Sequence, residues 1–278
     1  MILQGPHFLF TTLPGSARRI CRLGLASRGD TSLTVADVRF AVERGVSFLN
    51  WCGTTNAFAK AIAGLGSRRE ELLVCVQFEA RTAADARREL RHILRELRTD
   101  YVDVLTFYYV EEPAEWETLI GTGGALEVCR AAQKAGQVRR LGLTTHQRPL
   151  AVTAARSGTL DLLMIRYNAA HRGAETEVFP VTDALGMPVV VYTCLRWGGL
   201  LHGTPDDPPG FSVPRAPSWY RFALQSPSVS VALIAPDNRA ELEEDLTVLQ
   251  ANGPLTAEEY ERLAEHGRRV RKHGGRFP

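Results

Sequence analysis

Residues 35–51 read VADVRFAVERGVSFLNW, and the fold turns on how this stretch is parsed. VADVRFAVERGVS is a helical pattern that ends in Gly45, and Thr34 with Asp37 forms a capping box at its start. GVSFLNW then runs apolar without alternation, as a strand buried on both faces does. The run closes on polar residues, Asn50 and Cys52 flanking Trp51, before FAKAIAGLGSRREEL begins another helix at residue 58. Helix, glycine, buried strand, helix is the repeating unit of a parallel α/β sheet.

Outward from this unit the same alternation continues from about residue 20 to 250. The strand runs are RLGLA (22–26), VSFLNW (46–51), LLVCVQF (72–78), VDVLTFYY (102–109), RLGLTT (140–145), LLMIRYN (162–168), PVVVYT (188–193) and VSVALIA (229–235). Eight such runs predict an α/β fold, a (β/α)8 TIM barrel. HFLFTT and PGSARRI predict an N-terminal hairpin, within an arm of residues 1–19, that closes the barrel bottom. Residues 195–217 are too rich in Gly and Pro for a helix and predict a long loop on the catalytic face. The glycines of IGTGGALE (120–127) lack the strand context of a dinucleotide fingerprint and predict an ordinary loop. Residues 266–278 are expected to be a solvated basic tail, the whole 1–278 chain forming one barrel.

A length of 278 residues with 45% hydrophobic content suits one such domain. The formal net charge of +2 implies no strong attraction to nucleic acid, and no nucleic-acid partner is expected. Lys60, Lys134 and Lys272 are the only lysines among 33 basic residues, a bias that points to a GC-rich bacterial genome. Five scattered cysteines suggest neither a disulfide framework nor a zinc site. The start is a poor signal peptide, and nothing approaches the ~20 apolar residues of a membrane helix. The expectation is a soluble cytoplasmic protein.

Five segments carry a family resemblance. DYVDVLTFYYV (100–110), VRRLGLTTH (138–146), IRYNAAHR (165–172), VFPVTDALGMPVVVYTCLRWGGLL (178–201) and ALIAPDNRAELEEDLTVL (232–249) resemble, in order, segments of the aldo-keto reductases. The resemblance implies hydride transfer from NADPH to a carbonyl, with a catalytic Asp, Tyr, Lys and His. Those four positions fall here on Asn50, Thr55, Gln77 and Tyr108. The family's carboxamide contacts fall on Thr144, Thr145 and Met164. Its phosphate contacts fall on Ala235, Pro236 and Glu241, with Asp237 beside them. Tyr192, matching an aromatic that stacks on nicotinamide, and Glu244, near the adenine contacts, are the residual cofactor candidates. The expectation is that no cofactor is used. Asn50 and Gln77 would replace a charged pair by a neutral one of nearly equal shape, keeping the site hydrogen-bonded without a stranded charge.

Active sites of such barrels form at the carboxyl ends of the strands. Here these ends supply Ser27, Arg28, Asn50, Trp51, Cys52, Gln77, Glu79, Tyr108, Glu111, Thr145, His146, Arg166, Asn168, Thr193, Arg196 and Asp237. The catalytic candidates are Tyr108, His146, Glu79, Glu111 and Arg166; Asn50, Trp51, Cys52, Gln77, Asn168, Tyr192 and Trp197 are expected to line the pocket. Each has a structural alternative. Tyr108 donates to a substrate oxygen or fills the missing histidine's space. His146 is a base or caps a helix. Glu79 and Glu111 are acids or solvated loop carboxylates. Arg166 meets one of those carboxylates or an anionic substrate. Cys52 is a nucleophile beside His146 or an inert thiol.

Three functions follow from this pattern. The first is a cofactor-independent acid/base catalyst of elimination, isomerisation or cyclisation on a small organic molecule, in bacterial specialised metabolism. The second is a nicotinamide-dependent oxidoreductase with an altered site. The third is a non-catalytic binding protein.

Overall fold

Thr34 caps the first helix, α1 (Val35–Glu43): its side chain accepts from the Asp37 backbone, and the Asp37 carboxylate accepts from Thr34 N at 2.8 Å. Gly45, at φ +104°, then turns the chain toward the strand Phe48–Trp51. A left-handed φ of this kind favours a residue with no Cβ. The computed structural model describes residues 7–28, 31–54 and 56–275.

Ten strands follow in chain order: β1 (Phe10–Thr12), β2 (Arg19–Cys21), β3 (Leu23–Ala26), β4 (Phe48–Trp51), β5 (Leu73–Phe78), β6 (Val102–Phe107), β7 (Val138–Thr145), β8 (Leu162–Arg166), β9 (Val189–Tyr192) and β10 (Val229–Ile234). β3 to β10 are parallel neighbours, and β10 pairs with both β9 and β3, so the sheet is a closed eight-stranded barrel. Between and after the barrel strands run α2 (Ala57–Ala63), α3 (Ala83–Glu96), α4 (Pro113–Ile120), α5 (Ala125–Lys134), α6 (Arg148–Arg156), α7 (Ala174–Glu177), α8 (Phe179–Ala184), α9 (Ala216–Gln225), α10 (Arg239–Leu246) and α11 (Ala257–His273). The fold is the expected (β/α)8 barrel.

Two apolar layers result, because successive strand residues face opposite sides. Phe48, Cys75, Val104, Met164, Val190 and Leu233 pack inside the barrel. Gly24 is fixed by that packing, since a Cβ there would lie 2.9 Å from Leu233 and Val231 side-chain atoms. Leu49 and Trp51 face the other way, into the layer between barrel and helices, with Phe58. Trp51 therefore does not line a pocket as expected: it is fully buried, and its indole N–H donates to Thr54 O at 2.8 Å.

β1 and β2 form an antiparallel hairpin whose Leu13 and Ile20 join the inner cluster, closing the barrel bottom. The stretch from residue 266, expected to be a solvated tail, is helical to His273 as the end of α11. His266, Gly267 and Val270 are buried there, at the spacing of one helix face, which docks the helix instead of leaving it in water. Residues 276–278 of that stretch, and Thr55, lie outside the described residues. The five cysteines are free thiols. Among the described residues no helix is long and apolar enough to cross a membrane, and no His/Cys/Asp/Glu group could hold a metal.

Candidate active site

Four rings meet above the carboxyl ends of β6, β7 and β9. Tyr108 and Tyr109 stack with centroids 4.0 Å apart, Tyr109 lies 4.6 Å from the His146 ring, and His146 meets Tyr192 edge-on at 5.5 Å. The Tyr192 hydroxyl donates to Thr145 O at 2.9 Å. Tyr109 stands in the left-handed region at φ +42°, held from below by Arg81, which donates to the carbonyls of Tyr108 (2.6 Å) and Tyr109 (3.3 Å). Among the described residues five non-glycine residues have positive φ. Four of them, Tyr109, Thr193, Arg196 and Trp197, follow the ends of β6 and β9. Strain of this kind persists only where surrounding structure over-determines it, and it clusters at functional sites.

Glu111 and His146 form a dyad within the cluster. One carboxylate oxygen of Glu111 accepts from the His146 backbone N–H at 2.9 Å and lies 3.2 Å from its Nδ1. The other accepts from the Gln147 side-chain amide at 3.1 Å. Burial alone would raise the Glu111 carboxyl. The bonds from the His146 ring and backbone, its charge and the Gln147 amide outweigh burial, so Glu111 sits below the ordinary carboxylate value. A carboxylate only accepts, so this contact puts the ring hydrogen on Nδ1 and leaves Nε2 as the nitrogen that can take a proton. Burial raises the phenols of Tyr108, Tyr109 and Tyr192, keeping them neutral donors at physiological pH. Arg166 ends β8 on the inward side, half buried, within electrostatic reach of Tyr192, Glu111 and Tyr109.

A base with a fixed tautomer, neutral phenols and a nearby cation can remove a proton beside a carbonyl and stabilise the oxyanion that forms. The structure thus brings together Tyr108, His146, Glu111, Arg166 and Tyr192 of the residues expected from sequence. Tyr109 joins them although the sequence singles out only Tyr108; the signal for it is the YY doublet that ends the fourth barrel run.

The other expected residues divide. Glu79 is exposed beyond β5, and its backbone N–H donates to Glu89 at 2.8 Å. Gln77 is half buried beside Thr106 of β6. Asn50 is buried and its amide lies 3.6 Å from Cys52 Sγ, while its Oδ1 has no partner among the described residues. The hydrogen bond expected between Asn50 and Gln77 is not formed. Cys52 has the surroundings of an inert thiol: its Sγ lies against the Asn50 amide at 3.6 Å, and burial pushes the thiol up to about 11. Asn168 is structural: its Oδ1 accepts from Ala170 N (3.0 Å) and His171 N (2.9 Å), and its amide donates to Thr193 O at 2.8 Å. Trp197 is 64% exposed, on a loop whose left-handed turn carries it outward, so it does not wall an enclosed pocket.

At the segment after β10 the chain supplies its own charges. Arg28 pairs with Asp237. Glu241 accepts from Asp237 N at 2.9 Å and from the Asn238 amide at 3.0 Å, at the start of α10. Glu244 pairs with Arg215 at 2.5 Å.

The profile of the Aldo/keto reductase family matches residues 23–218. An aldo-keto reductase from Klebsiella pneumoniae, in complex with NADPH, superposes with a TM-score of 0.73 at 17% identity, over 90% of this chain and 92% of that one. An aldo-keto reductase from Bacillus halodurans, in its holo form, gives 0.70 at 19% identity, over 94% and 96%. A putative 2,5-diketo-D-gluconic acid reductase B gives 0.73 at 19% identity, over 93% and 92%. At these identities the likeness is one of fold, and no curated protein matches the sequence. With a family profile spanning most of the barrel, the chain belongs to the aldo/keto reductase family.

Proposed function

We propose that this family member is an enzyme that moves a proton on a small carbonyl compound, with the Glu111–His146 dyad as the proton-transfer pair. The observation that carries the reading is the double contact of Glu111 with His146 beside the Tyr109 ring. In this reading His146 Nε2 removes a proton from the carbon next to the carbonyl. The Tyr109 hydroxyl donates to the enolate oxygen, and the proton returns at a different carbon or a leaving group departs. Glu111 stabilises the imidazolium that forms.

The family implies a nicotinamide dinucleotide, and the residues present do not fit one as a set. Tyr192 is 8% exposed, with Tyr109 and His146 against it. Met164, a thioether, stands where the family places an amide. Own carboxylates occupy the start of α10, where they would repel a 2′-phosphate. Proton transfer without a redox cofactor is accordingly the reading that the geometry favours.

The comparisons weigh toward a second reading, a nicotinamide-dependent oxidoreductase with an altered site. It is supported by family membership, by neighbours solved with NADPH, and by Thr144 Oγ1, which is buried without a partner among the described residues at a position matching a carboxamide contact. The test is a panel of small ketones and aldehydes with α-hydrogens (neutral, carboxylated and phosphorylated) incubated in D2O with and without NADPH or NADH. Deuterium entering a substrate without cofactor, and lost in His146→Ala, supports the first reading. Oxidation of the nicotinamide with no cofactor-free exchange replaces it by the second. Neither activity across the panel favours a non-catalytic barrel.

A further inference from the structure

We propose that the cleft at the bottom of the barrel, between the β1–β2 hairpin and the start of β7, binds a phosphate group, free or carried on a small molecule. The bound anion ties the hairpin to the barrel. This cleft lies at the opposite end of the strands from His146 and does not depend on the acid/base reading.

The cleft has a volume of about 670 Å³, within the ~300–1,000 Å³ of small-molecule sites. The turn joining β1 to β2 contributes Pro14 and Arg18, β7 contributes Arg139 and Arg140, and Asp103 and Asp161 also line it. Asp103 is saturated. Its Oδ1 accepts from Arg139 Nη1 at 2.8 Å, and its Oδ2 accepts from Arg69 Nη1 at 2.8 Å and from Val74 N at 3.0 Å. Arg69 is therefore a further cation at the same carboxylate, and Arg18 stands off from it at 3.8 Å. Asp161 accepts from Leu141 N at 2.8 Å and from the Gln133 amide at 3.0 Å. Residues 1–17, on the hairpin side, contain no acidic residue. Among the described residues, four guanidinium groups thus meet two carboxylates, which leaves the cleft positive by two charges. A phosphate monoester carries about −1.5 to −2 at neutral pH.

The donors match the charge. Arg18 uses Nη1 to hold Leu72 O at 2.8 Å, Arg139 uses Nη1 for Asp103, and Arg140 uses Nη2 for Pro14 O at 2.8 Å. Among the described residues, Nε and the second Nη of each have no acceptor. Arg139 is steadied further by the Tyr101 ring, whose centroid lies 3.9 Å from its Cζ. Each guanidinium is thus anchored by one nitrogen and keeps N–H donors for a ligand. A single fork fills a carboxylate, whereas a tetrahedral phosphate offers oxygens to several at once. Arg18 leads into β2, and Arg140 already joins β7 to the hairpin turn through Pro14, so an anion held by both bridges hairpin and barrel.

Isothermal titration of the wild-type protein with inorganic phosphate, glycerol 3-phosphate and succinate tests the site. Saturable binding of a phosphate compound is expected, weakened about tenfold or more by Arg140→Gln and less by Arg140→Lys. Arg140 makes no bond to Asp103, so these substitutions leave the Asp103 cluster intact. Tighter binding of glycerol 3-phosphate identifies an ester as the ligand, and tighter binding of inorganic phosphate the free anion. Backbone NMR of the wild-type protein gives a readout that no variant can confound. The amide signals of Gly15 and Gly136, which both line the cleft, shift during the titration, and the amides of β1 and β2 exchange more slowly with ligand bound. The site is overturned by absence of saturable phosphate binding, by tighter binding of succinate than of either phosphate, by an Arg140→Gln protein that binds as tightly as wild type, or by Gly15 and Gly136 signals that stay still. Unchanged exchange in β1 and β2 overturns the tie between hairpin and barrel. His146→Ala is expected to retain phosphate binding while losing deuterium exchange, which separates failure of this site from failure of the acid/base reading.

Discussion

The same oxygen of Glu111 holds His146 twice, by the backbone N–H at 2.9 Å and at the ring Nδ1 at 3.2 Å. Backbone and ring are thus fixed together, and the imidazole cannot turn without losing its orienting carboxylate. His146→Ala is expected to lower turnover by about 10²–10⁴-fold, the usual contribution of a positioned general base. Glu111→Gln keeps the size but removes the charge opposite the forming imidazolium. It should cost a substantial part of that factor with little change in KM. Steady-state kinetics on a substrate found by the exchange panel checks both.

Gln147 supplies a pH test. Its amide donates to the second Glu111 oxygen at 3.1 Å, one of the bonds that outweigh burial and lower this carboxyl. A lowered carboxyl stays ionised as pH falls until its depressed value is reached. Gln147→Ala removes one stabilising bond, so Glu111 takes up its proton at a higher pH. The Glu111 carboxyl, followed directly by carbon NMR, should take up its proton at a higher pH in this variant than in the wild-type protein. A titration that stays in place or moves downward would show that the Gln147 bond does not hold Glu111 ionised.

At the opposite end of the barrel Asp103, 2% exposed, accepts from Arg69 and Arg139 at 2.8 Å each and from Val74 N at 3.0 Å. Asp103→Ala leaves the buried Arg69 without its counter-charge, a loss of about 3–5 kcal/mol for a pair of this kind. Denaturant unfolding should show a lowered midpoint. Asp103→Asn, which keeps an acceptor, should lose less.

The sequence made the barrel legible because strands buried on both faces leave unalternated apolar runs, and eight of them stood between helical patterns. Lack of alternation also hid side-chain direction. In FLNW every residue is buried, and only the pairing register shows that Asn50 faces inward while Trp51 faces the helices. Strand ends overshot at Tyr108–Tyr109 and Tyr167–Asn168, because residues that favour strands continue past the last ladder contact, and a left-handed φ at Tyr109 ends the run. Glu111 and His146 could each be placed at the mouth. Their contact follows from β6 and β7 being neighbours, which brings loops 35 residues apart together. The outward turn of Trp197 depends on backbone angles that composition does not encode.

Gly267 tests how closely α11 packs. A Cβ there would lie 2.3 Å from Ala169 O and 2.4 Å from its carbonyl carbon, both backbone atoms that cannot swing away. Alanine gains about 1 kcal/mol of helix propensity over glycine, whereas overpacking a tight contact costs about 1–3 kcal/mol or more. The clash should win, and Gly267→Ala should lower the thermal midpoint with faster amide exchange along α11. Gly253→Ala, where nothing lies within 4 Å, serves as the neutral control.

Asp245 predicts a stability profile that runs against the common one. Its carboxyl is buried on α10 and accepts a hydrogen bond from the Tyr220 hydroxyl at 3.3 Å. Desolvation, which the Tyr220 bond only partly offsets, raises it to about 8, with Glu244 and Glu241 adding to the rise. An unfolded aspartate titrates near ~3.9. Between these two values the unfolded chain gives up a proton that the folded chain keeps, so the contribution is complete below the lower value. It is lost as pH rises through the upper one. Asp245→Asn has nearly the same shape, keeps an acceptor for Tyr220 and cannot ionise. Its thermal midpoint relative to wild type should therefore climb from pH 5 to pH 8.5, reaching an advantage on the order of 2 kcal/mol, of the size expected when a buried carboxylate is spared desolvation. Parallel pH profiles for the two proteins would mean that Asp245 is ionised in the fold throughout that range, with solvent or a cation reaching it.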